Sequence, residues 1–334
     1  MLNAEVTGAT EANLVSVAPP GSGSAGSIIC IKKKIGPNDL DTDLSTAFLL
    51  PDKLKNSINF KSDKTYIFCS NIDSAFIQVL GIFNPYRDPD PRNYSECPLE
   101  GNVQIGRDCS IGQFCIIRRN AHIGSGAVLM GNNFIGEHVH IGNNSLLYPG
   151  VVVLDGCRIG SNVILHSNTV VGSDGFGYTE TSEGIVKIPQ IGNVIIGDNA
   201  EIGSNTSIDR STIGSTIIEN NVKIDNLVQI AHNTHIGENT RIAGQTGVAG
   251  SAKIGKNVII GGQAAIGDHS VVGDRVILAG RSGVYPRKHV IPGSVMFGEP
   301  LMPIKDALQV KYAIKHIPEI MKRFPDVFKP QKKK

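Results

Sequence analysis

The sequence predicts a mainly β protein built around a parallel β-helix, and two runs of a six-residue repeat predict it. Every sixth residue is aliphatic from Ile105 to Val171 and again from Ile218 to Val284, with twelve such positions in each run. Gly or Ala follows nine of the twelve in the second run, and Gly follows seven in the first. A period of six matches neither an α-helix nor a simple strand. It fits a solenoid with three flat faces per coil and one inward aliphatic side chain per face.

Asparagine and glycine recur between the aliphatic positions, where the coil must turn. Six asparagines of the first run illustrate this, namely Asn132, Asn133, Asn143, Asn144, Asn162 and Asn168. Both residue types enter the left-handed αL conformation more readily than others do. They are therefore predicted to form the corners of the coil.

The chain before residue 99 lacks the six-residue period and predicts a small α/β domain over 1–98. Apolar runs at 26–31 and 66–69 and a probable helix over 74–82 are its elements. The stretch from Asn84 to Pro91 is rich in proline and charge, which predicts a linker.

The β-helix domain is predicted over 99–290 and a helical extension over 291–334. The extension has an apolar stripe between Ile304 and Met321 with lysines on the other side, as in an amphipathic helix.

Composition narrows the possible functions. The formal charge of +2 is too small to indicate nucleic-acid binding. The six cysteines form no CxxC pair and no cluster with histidine, so we expect free thiols in a reducing compartment and no metal site. The sequence contains neither a membrane-spanning apolar stretch nor a signal-peptide pattern. A cytoplasmic protein is therefore expected.

The repeat breaks between Val171 and Ile196. An excursion opens with the segment 172–178 and runs to about Gln190. Insertions in solenoids usually emerge on one face, which is often the binding face. Phe176 and Tyr178 are therefore either ligand contacts or a small packing core of the loop itself.

His232 is the candidate general base. It lies two residues after the inward Ile230, so the repeat turns it away from the core. A histidine on a rigid outward surface suits proton transfer near neutral pH. The alternative is a histidine with a surface or packing role only.

Five segments of the chain carry a family resemblance: Asp174 to Tyr178, Lys187 to Gly192, Val194 to Gly197, Ser207 to Arg210 and Gln229 to Asn233. Together they resemble the UDP-3-O-acylglucosamine N-acyltransferases, the N-acylating enzymes of lipid A biosynthesis. The resemblance covers roughly residues 100 to 300, and its most specific parts are the DGFGY and QIAHN segments.

The resemblance implies a left-handed coil and a homotrimer with active sites in clefts between subunits. The donor would be a 3-hydroxyacyl chain on the phosphopantetheine arm of acyl carrier protein, with no other cofactor. The acceptor would be the 2-amine of UDP-3-O-acylglucosamine or its 3-N-acyl analogue. The N-terminal domain would hold the uridine, and the C-terminal helices would help to engage the carrier protein.

The resemblance also implies roles for single residues. His232 matches the catalytic base, Gly250 the glycine whose N–H faces the thioester carbonyl, and His269 a second histidine near the donor and acceptor phosphates. Gly250 could instead be an ordinary corner glycine. Asp225 could orient His232 across a coil or a subunit boundary, or be a solvated corner acid. Asn233 could be a turn residue or a substrate contact.

The sequence departs from the family at the positions expected to cradle the uracil. Cys30 and Lys33 align where the family usually has Phe and Asn, so uridine contacts are not assigned. Gly283 lies where a bulky side chain can limit acyl length in such enzymes, and a glycine there would tolerate a longer chain.

Three other functions are compatible with a β-helix of hexapeptide repeats and compete with an N-acyltransferase. One is a hexapeptide-repeat O-acyltransferase acting on a UDP-amino sugar, which fits poorly because such enzymes lack the N-terminal domain and the DGFGY loop. A γ-type carbonic anhydrase would need a pair of histidines five residues apart, which this sequence lacks. The third is a non-catalytic β-helical scaffold.

Overall fold

The computed structural model describes residues 4–9, 13–32, 40, 43–83, 101–182, 184–296 and 304–324. The chain divides into two compact units, Met1–Phe297 and Gly298–Lys334. The predicted linker at 84–91 lies outside the described residues, as do Lys33 and Cys97. Within these ranges, no helix is long and apolar enough to cross a bilayer.

The N-terminal region is a five-stranded sheet with a 3-10 turn at Asp52–Ser57. Its strands are Ala4–Gly8 (β1), Ser16–Ala18 (β2), Ser27–Cys30 (β3), Ala47–Pro51 (β4) and Thr65–Cys69 (β5). They lie in the order β1-β5-β4-β3-β2, and only the β1–β5 pair is antiparallel. Helix α1, Ile72–Ile82, follows the sheet and is capped by Asn71, whose side chain accepts a hydrogen bond from the Ser74 N–H.

The apolar side of α1 packs on this sheet. Phe76 and Leu80 join Ile28 and Leu49 in one buried cluster. The apolar runs that we expected in this region are β3 and β5, and α1 begins two residues before the predicted start.

The repeats form three parallel sheets, here called face 1, face 2 and face 3, which the chain visits in that order. Face 1 contains Gln104–Ile105 (β6), His122–Ile123 (β9), His140–Ile141 (β12), Arg158–Ile159 (β15), Asn193–Ile196 (β20), Ser215–Ile218 (β23), His235–Ile236 (β26), Lys253–Ile254 (β29), Val271–Val272 (β32) and His289–Val290 (β35). Face 2 contains Ser110–Ile111 (β7), Val128–Leu129 (β10), Leu146–Leu147 (β13), Ile164–Leu165 (β16), Glu201–Ile202 (β21), Lys223–Ile224 (β24), Arg241–Ile242 (β27), Ile259–Ile260 (β30), Ile277–Leu278 (β33) and Val295–Met296 (β36). Face 3 contains Ile116–Ile117 (β8), Phe134–Ile135 (β11), Val152–Val153 (β14), Val170–Ser173 (β17), Ser207–Asp209 (β22), Gln229–Ile230 (β25), Gly247–Val248 (β28), Ala265–Ile266 (β31) and Gly283–Val284 (β34).

The inward aliphatic residues form one continuous core. All twelve from Ile218 to Val284 are buried, and so are those from Ile117 to Val171. Ile105 and Ile111 are 40% and 37% exposed because they belong to the first coil that the structure describes. The predicted parallel β-helix is therefore confirmed, with an interior narrow enough to be filled by Ile, Val and Leu.

The predicted corners are confirmed for four of the six asparagines. Asn132, Asn144, Asn162 and Asn168 have φ between 52° and 61°. Asn133 and Asn143 are not αL residues. Their side-chain oxygens accept backbone N–H groups at turns instead, from Gly131 at 3.0 Å and Ser125 at 2.8 Å.

The excursion leaves the coil after β17 and returns at β20. It forms an antiparallel hairpin of Tyr178–Thr181 (β18) and Gly184–Lys187 (β19). Arg210, only 3% exposed, fixes its two ends. The guanidinium donates to the carbonyls of Gly172 at 2.6 Å and Gly192 at 3.3 Å, and to that of Asp155 at 3.2 Å. The buried guanidinium of Arg210 thus holds both ends of the excursion to the β-helix.

The second unit contains one described element, helix α2, Ile304–Arg323. The helical tail predicted from the apolar stripe is confirmed. Pro318 lies inside the helix, where it removes one backbone N–H donor.

Candidate active site

A cleft of about 540 Å³ lies beside the corner where face 3 turns into face 1. It brings together five of the seven predicted site residues, namely Phe176, Tyr178, His232, Asn233 and His269. Its other wall comes from the N-terminal sheet region and includes Ala18, Pro19, Pro20, Cys30, Lys32 and Phe76. A larger groove of about 660 Å³ on face 2 contains Asp225 and none of the other six. The smaller cleft is therefore the candidate site.

The imidazole of His232 lies between two glycine backbones. A Cβ atom at Gly175 would lie 2.6 Å from Cβ of His232, and one at Gly250 would lie 2.8 Å from both Nε2 and Cε1. Such distances are shorter than packed side chains tolerate, so a side chain at either position would displace the side chain of His232. Gly175 belongs to the excursion and Gly250 to the next coil. The ring is half-buried and has little room to move.

Asn233 contacts His232 directly. Its Oδ1 lies 3.0 Å from Nδ1 of the imidazole. The same Oδ1 accepts the N–H of Thr212 at 3.1 Å, and Nδ2 donates to the carbonyl of Ile213 at 3.3 Å. Asn233 is also an αL corner, with φ of 60°. It is a turn residue whose side chain reaches the candidate base.

The N–H of Gly250 points to no acceptor in the described part of the chain. The carbonyl of Gly250 accepts the N–H of His269 at 3.1 Å, and the next amide, Ser251, donates to the carbonyl of His232 at 2.9 Å. The free donor therefore belongs to the residue that supports the edge of the imidazole. It is available to an oxygen atom of a ligand.

Asp209 is a buried carboxylate near His232 that sequence reasoning did not single out. Ser173 Oγ donates to it at 2.7 Å and Gln229 Nε2 at 2.8 Å. Burial raises the pKa of Asp209, while these hydrogen bonds and the charge of His232 oppose the rise. The equivalent positions on the next coils carry the small residues Ala231, Ala249 and Gly267. An aspartate at a repeat position that otherwise holds Ala or Gly is the feature of the sequence that could have identified Asp209.

Asp225 lies at a different corner, where face 2 turns into face 3. Its Oδ1 accepts the N–H of Asn226 at 2.7 Å and its Oδ2 accepts the N–H of Gly244 at 3.0 Å. Within the described chain it therefore braces a corner and makes no hydrogen bond to His232. His269 does reach the cleft, where its Nδ1 lies 2.8 Å from Oδ2 of Asp268.

The two aromatic residues of the excursion contact each other and line the cleft. The rings of Phe176 and Tyr178 form a T-shaped pair with centroids 5.0 Å apart. Phe176 is nevertheless 84% exposed. The loop is anchored by an ion pair between Lys187 and Asp174. The excursion thus presents an apolar ring to the cleft.

The opposite wall carries residues that the sequence did not identify as site residues. Lys32 Nζ lies 2.6 Å from Oδ1 of Asp73 and 4.8 Å from the ring centroid of Phe76. Burial raises the pKa of the Cys30 thiol to about 12, which keeps it protonated. The N-terminal region has no repeat, so no spacing in its sequence indicates which of its side chains face the β-helix.

Comparison with protein families matches the repeats. The bacterial transferase hexapeptide family model matches residues 138–173 and 215–250. The model of the hexapeptide repeat of succinyl-transferase matches residues 193–228. These segments include β25, His232 and Gly250.

Curated relatives share this part of the chain. UDP-3-O-acylglucosamine N-acyltransferase 1 of Legionella pneumophila strain Paris is 46% identical over 157 residues, 47% of this chain and 45% of the relative. UDP-3-O-acylglucosamine N-acyltransferase of Polynucleobacter asymbioticus is 38% identical over 163 residues, 47% of this chain and 46% of the relative. The chain thus spans about half the length of the curated relatives that it matches.

Among solved structures, a UDP-N-acetylglucosamine O-acyltransferase of Moraxella catarrhalis aligns with 67% of this chain and 82% of its own, at 23% identity and a TM-score of 0.48. The resemblance drawn from the sequence is confirmed by the curated relatives and the repeat matches: the chain contains hexapeptide repeats and is similar, over about half its length, to proteins named UDP-3-O-acylglucosamine N-acyltransferase.

Proposed function

We propose that this protein is an N-acyltransferase of lipid A biosynthesis. It transfers a 3-hydroxyacyl chain from acyl carrier protein to the 2-amine of UDP-3-O-acylglucosamine or its 3-N-acyl analogue. The observation that carries the proposal is the imidazole of His232, which lies in a cleft between Gly175 and Gly250 with a free backbone N–H beside it. The names of the curated relatives supply the substrate class.

In this proposal His232 moves one proton. The sugar amine attacks the thioester carbonyl, forming a C–N bond, and Nε2 removes a proton from the amine nitrogen. The tetrahedral adduct then breaks its C–S bond, and the imidazolium returns the proton to the departing sulfur. The products are an amide and a thiol. A positioned base of this type contributes about 10² to 10⁴ in rate.

Gly250 is proposed to stabilise the oxyanion of the adduct. Its N–H donates to no protein group among the described residues and lies beside the ring that receives the proton. A backbone donor held in place before the reaction costs no reorganisation when charge develops on the carbonyl oxygen. Such a donor contributes about 3 kcal/mol to transition-state stability.

Face 3 offers a route for the acyl chain. The outward residues beyond Gln229 on this face are Gly247, Ala265 and Gly283, one on each successive coil. Among the described residues, and apart from the adjacent residues of the chain, no atom lies within 4 Å of a Cβ built at Gly247 or Gly283. Because glycine weakens a strand unless something approaches closely, these positions fit an external apolar group. We propose that the acyl chain runs along them.

The homotrimer is part of the same proposal. The first residue of each described strand of face 3 is uncharged, whereas the matching positions carry Arg158 and Lys253 on face 1 and Glu201 and Lys223 on face 2. Asp209, the last residue of β22, is charged but buried. A face with so little exposed charge fits contact with further copies of the chain. The first outward residues of face 3 are Ile116, Phe134, Val152 and Val170.

The test is an acylation assay with purified full-length protein. Carrier-bound 3-hydroxyacyl donors of several lengths are combined with UDP-3-O-acylglucosamine, its 3-N-acyl analogue or UDP-N-acetylglucosamine, and products are identified by mass spectrometry. We expect an amide product from the first or second acceptor. Acylation of UDP-N-acetylglucosamine alone would indicate an O-acyltransferase. No transfer with any pair would contradict the proposal, and the oligomer mass tests the trimer in the same sample.

A further inference from the structure

The orientation of the Asn233 side-chain amide is fixed by two backbone groups. The Thr212 N–H can only donate and lies 3.1 Å from Oδ1, while the Ile213 carbonyl can only accept and lies 3.3 Å from Nδ2. A flipped amide would place two donors against each other and two acceptors against each other. Oδ1 is therefore the atom that faces His232.

An amide oxygen can only accept a hydrogen bond, and Oδ1 lies 3.0 Å from Nδ1 of His232. Nδ1 must therefore carry a hydrogen. A neutral imidazole has one N–H, so Nε2 is left with its lone pair. Nε2 is also the ring nitrogen nearer to Gly250, at 2.8 Å from the Cβ position built there against 3.4 Å for Nδ1.

We propose that Asn233 is a positioning residue that holds His232 in the Nδ1–H tautomer. Free histidine in water prefers the opposite tautomer, with hydrogen on Nε2, which would place a donor where a base is needed. The hydrogen bond from Nδ1 reverses that preference before substrate binds. The kinetic consequence rests on the proposed function, whereas the tautomer itself does not.

The backbone restricts which variants are informative. Asn233 has φ of 60°, which Gly, Asn and Asp tolerate best. Asn233→Gly removes the acceptor. Asn233→Asp keeps an acceptor for both Nδ1 and the Thr212 N–H, but it replaces the donor to the Ile213 carbonyl with a second acceptor. The matched control is Asn257→Gly, an exposed corner asparagine with φ of 56° outside the cleft.

The tautomer is read directly by NMR of the full-length protein labelled with 15N in the histidine rings. The signal of His232 is assigned with His232→Gln. We expect Nδ1 protonated and Nε2 unprotonated in the wild type, Asn233→Asp and Asn257→Gly, at a pH where the ring is neutral. Asn233→Gly should gain the Nε2–H form. A wild-type ring with hydrogen on Nε2 would overturn the inference, whatever the activity.

Enzyme kinetics of the same variants distinguish a residue that positions His232 from a residue that only forms the turn. For Asn233→Gly we expect kcat to fall about tenfold or more with KM little changed, because the base is in the wrong form. In Asn233→Asp the new carboxylate should stabilise imidazolium, which moves the acid limb of the kcat/KM profile to higher pH, and kcat should stay above that of Asn233→Gly. If kcat fell equally in the two variants and neither shifted the pH profile of kcat/KM, the positioning role of Asn233 would be overturned. A wild type with the expected tautomer but no acyl transfer would support the tautomer and refute only the proposed function.

Discussion

A methyl group at Gly250 would lie 2.8 Å from both Nε2 and Cε1 of His232. The backbone of one coil is thus the surface on which the imidazole of the preceding coil rests. Six-residue periodicity makes this contact possible, because residues eighteen apart stack directly above each other, as Ile230 pairs with Val248. The glycine at position 250 therefore leaves the space that the imidazole of His232 occupies in the candidate site.

Gly250→Ala should displace the ring without unfolding the coil. We expect kcat/KM to fall about 10²-fold, since a shift of about 1 Å in a catalytic group can cost that much. The control is Gly280→Ala, where a Cβ would be 3.4 Å from the Gly262 carbonyl oxygen, an ordinary contact. Equal activity of the two variants would show that the ring does not need the space above Gly250.

Gly283→Met should shift donor preference toward shorter acyl chains. The position is open within the chain, so a large side chain would fill the proposed acyl route and leave the coil intact. We expect the ratio of kcat/KM for long and short donors to fall about tenfold. Ile277→Met on face 2 of the same coil is the control. A chain-length profile identical to that of the wild type would remove face 3 as the route.

Asp209→Asn should change how stability depends on pH. Burial raises the pKa of Asp209 above its ordinary 3.8, so ionisation in the folded protein costs free energy as pH rises through the raised pKa. Asparagine has no such cost. In denaturant titrations, the free energy of unfolding of the variant minus that of the wild type should be larger at pH 7 than at pH 3. The reverse order would contradict a raised pKa.

Glu219→Gln should act in the opposite direction. Burial alone would raise the pKa of Glu219, but hydrogen bonds from His235 at 2.8 Å and the Glu238 N–H at 2.9 Å, with the charge of Lys256, hold it below its ordinary 4.5. That stabilisation is present above pH 4.5 and disappears as pH falls through the lowered pKa.

The measured loss for Glu219→Gln should therefore be larger at pH 7 than at pH 3, and no more than about 1 kcal/mol for a pair near the surface. Glu180→Gln, at an exposed hairpin position, serves as the control. A loss that is independent of pH would mean that the hydrogen bonds of Glu219 do not depend on its charge.

The repeat predicted most of the fold because each of its rules is local. An aliphatic residue every six positions gave the inward side chains, and Asn132 or Asn144 marked a corner because few residue types accept positive φ. The two exceptions, Asn133 and Asn143, have the right residue type one position away from the corner. Their side chains bond the backbone instead.

The candidate site was predictable where the repeat or the family resemblance marked it. His232 was found because its register turns it outward, and the cleft then joins it to Asn233, His269, Phe176 and Tyr178. The wall formed by Lys32 and Phe76 depends on contacts across more than 100 residues, which no period encodes. Asp225 was a reasonable candidate in sequence, but it follows face 2 whereas His232 follows face 3.

The most direct test of the central claim is kcat/KM of His232→Ala for transfer from a 3-hydroxyacyl carrier thioester to UDP-3-O-acylglucosamine, with the oligomer mass measured on the same sample. If Nε2 of His232 takes the amine proton, the variant should keep the wild-type mass and lose about 10² to 10⁴ in rate. A His232→Ala variant with the wild-type oligomer mass and a kcat/KM within a few-fold of wild type would contradict a catalytic role for His232.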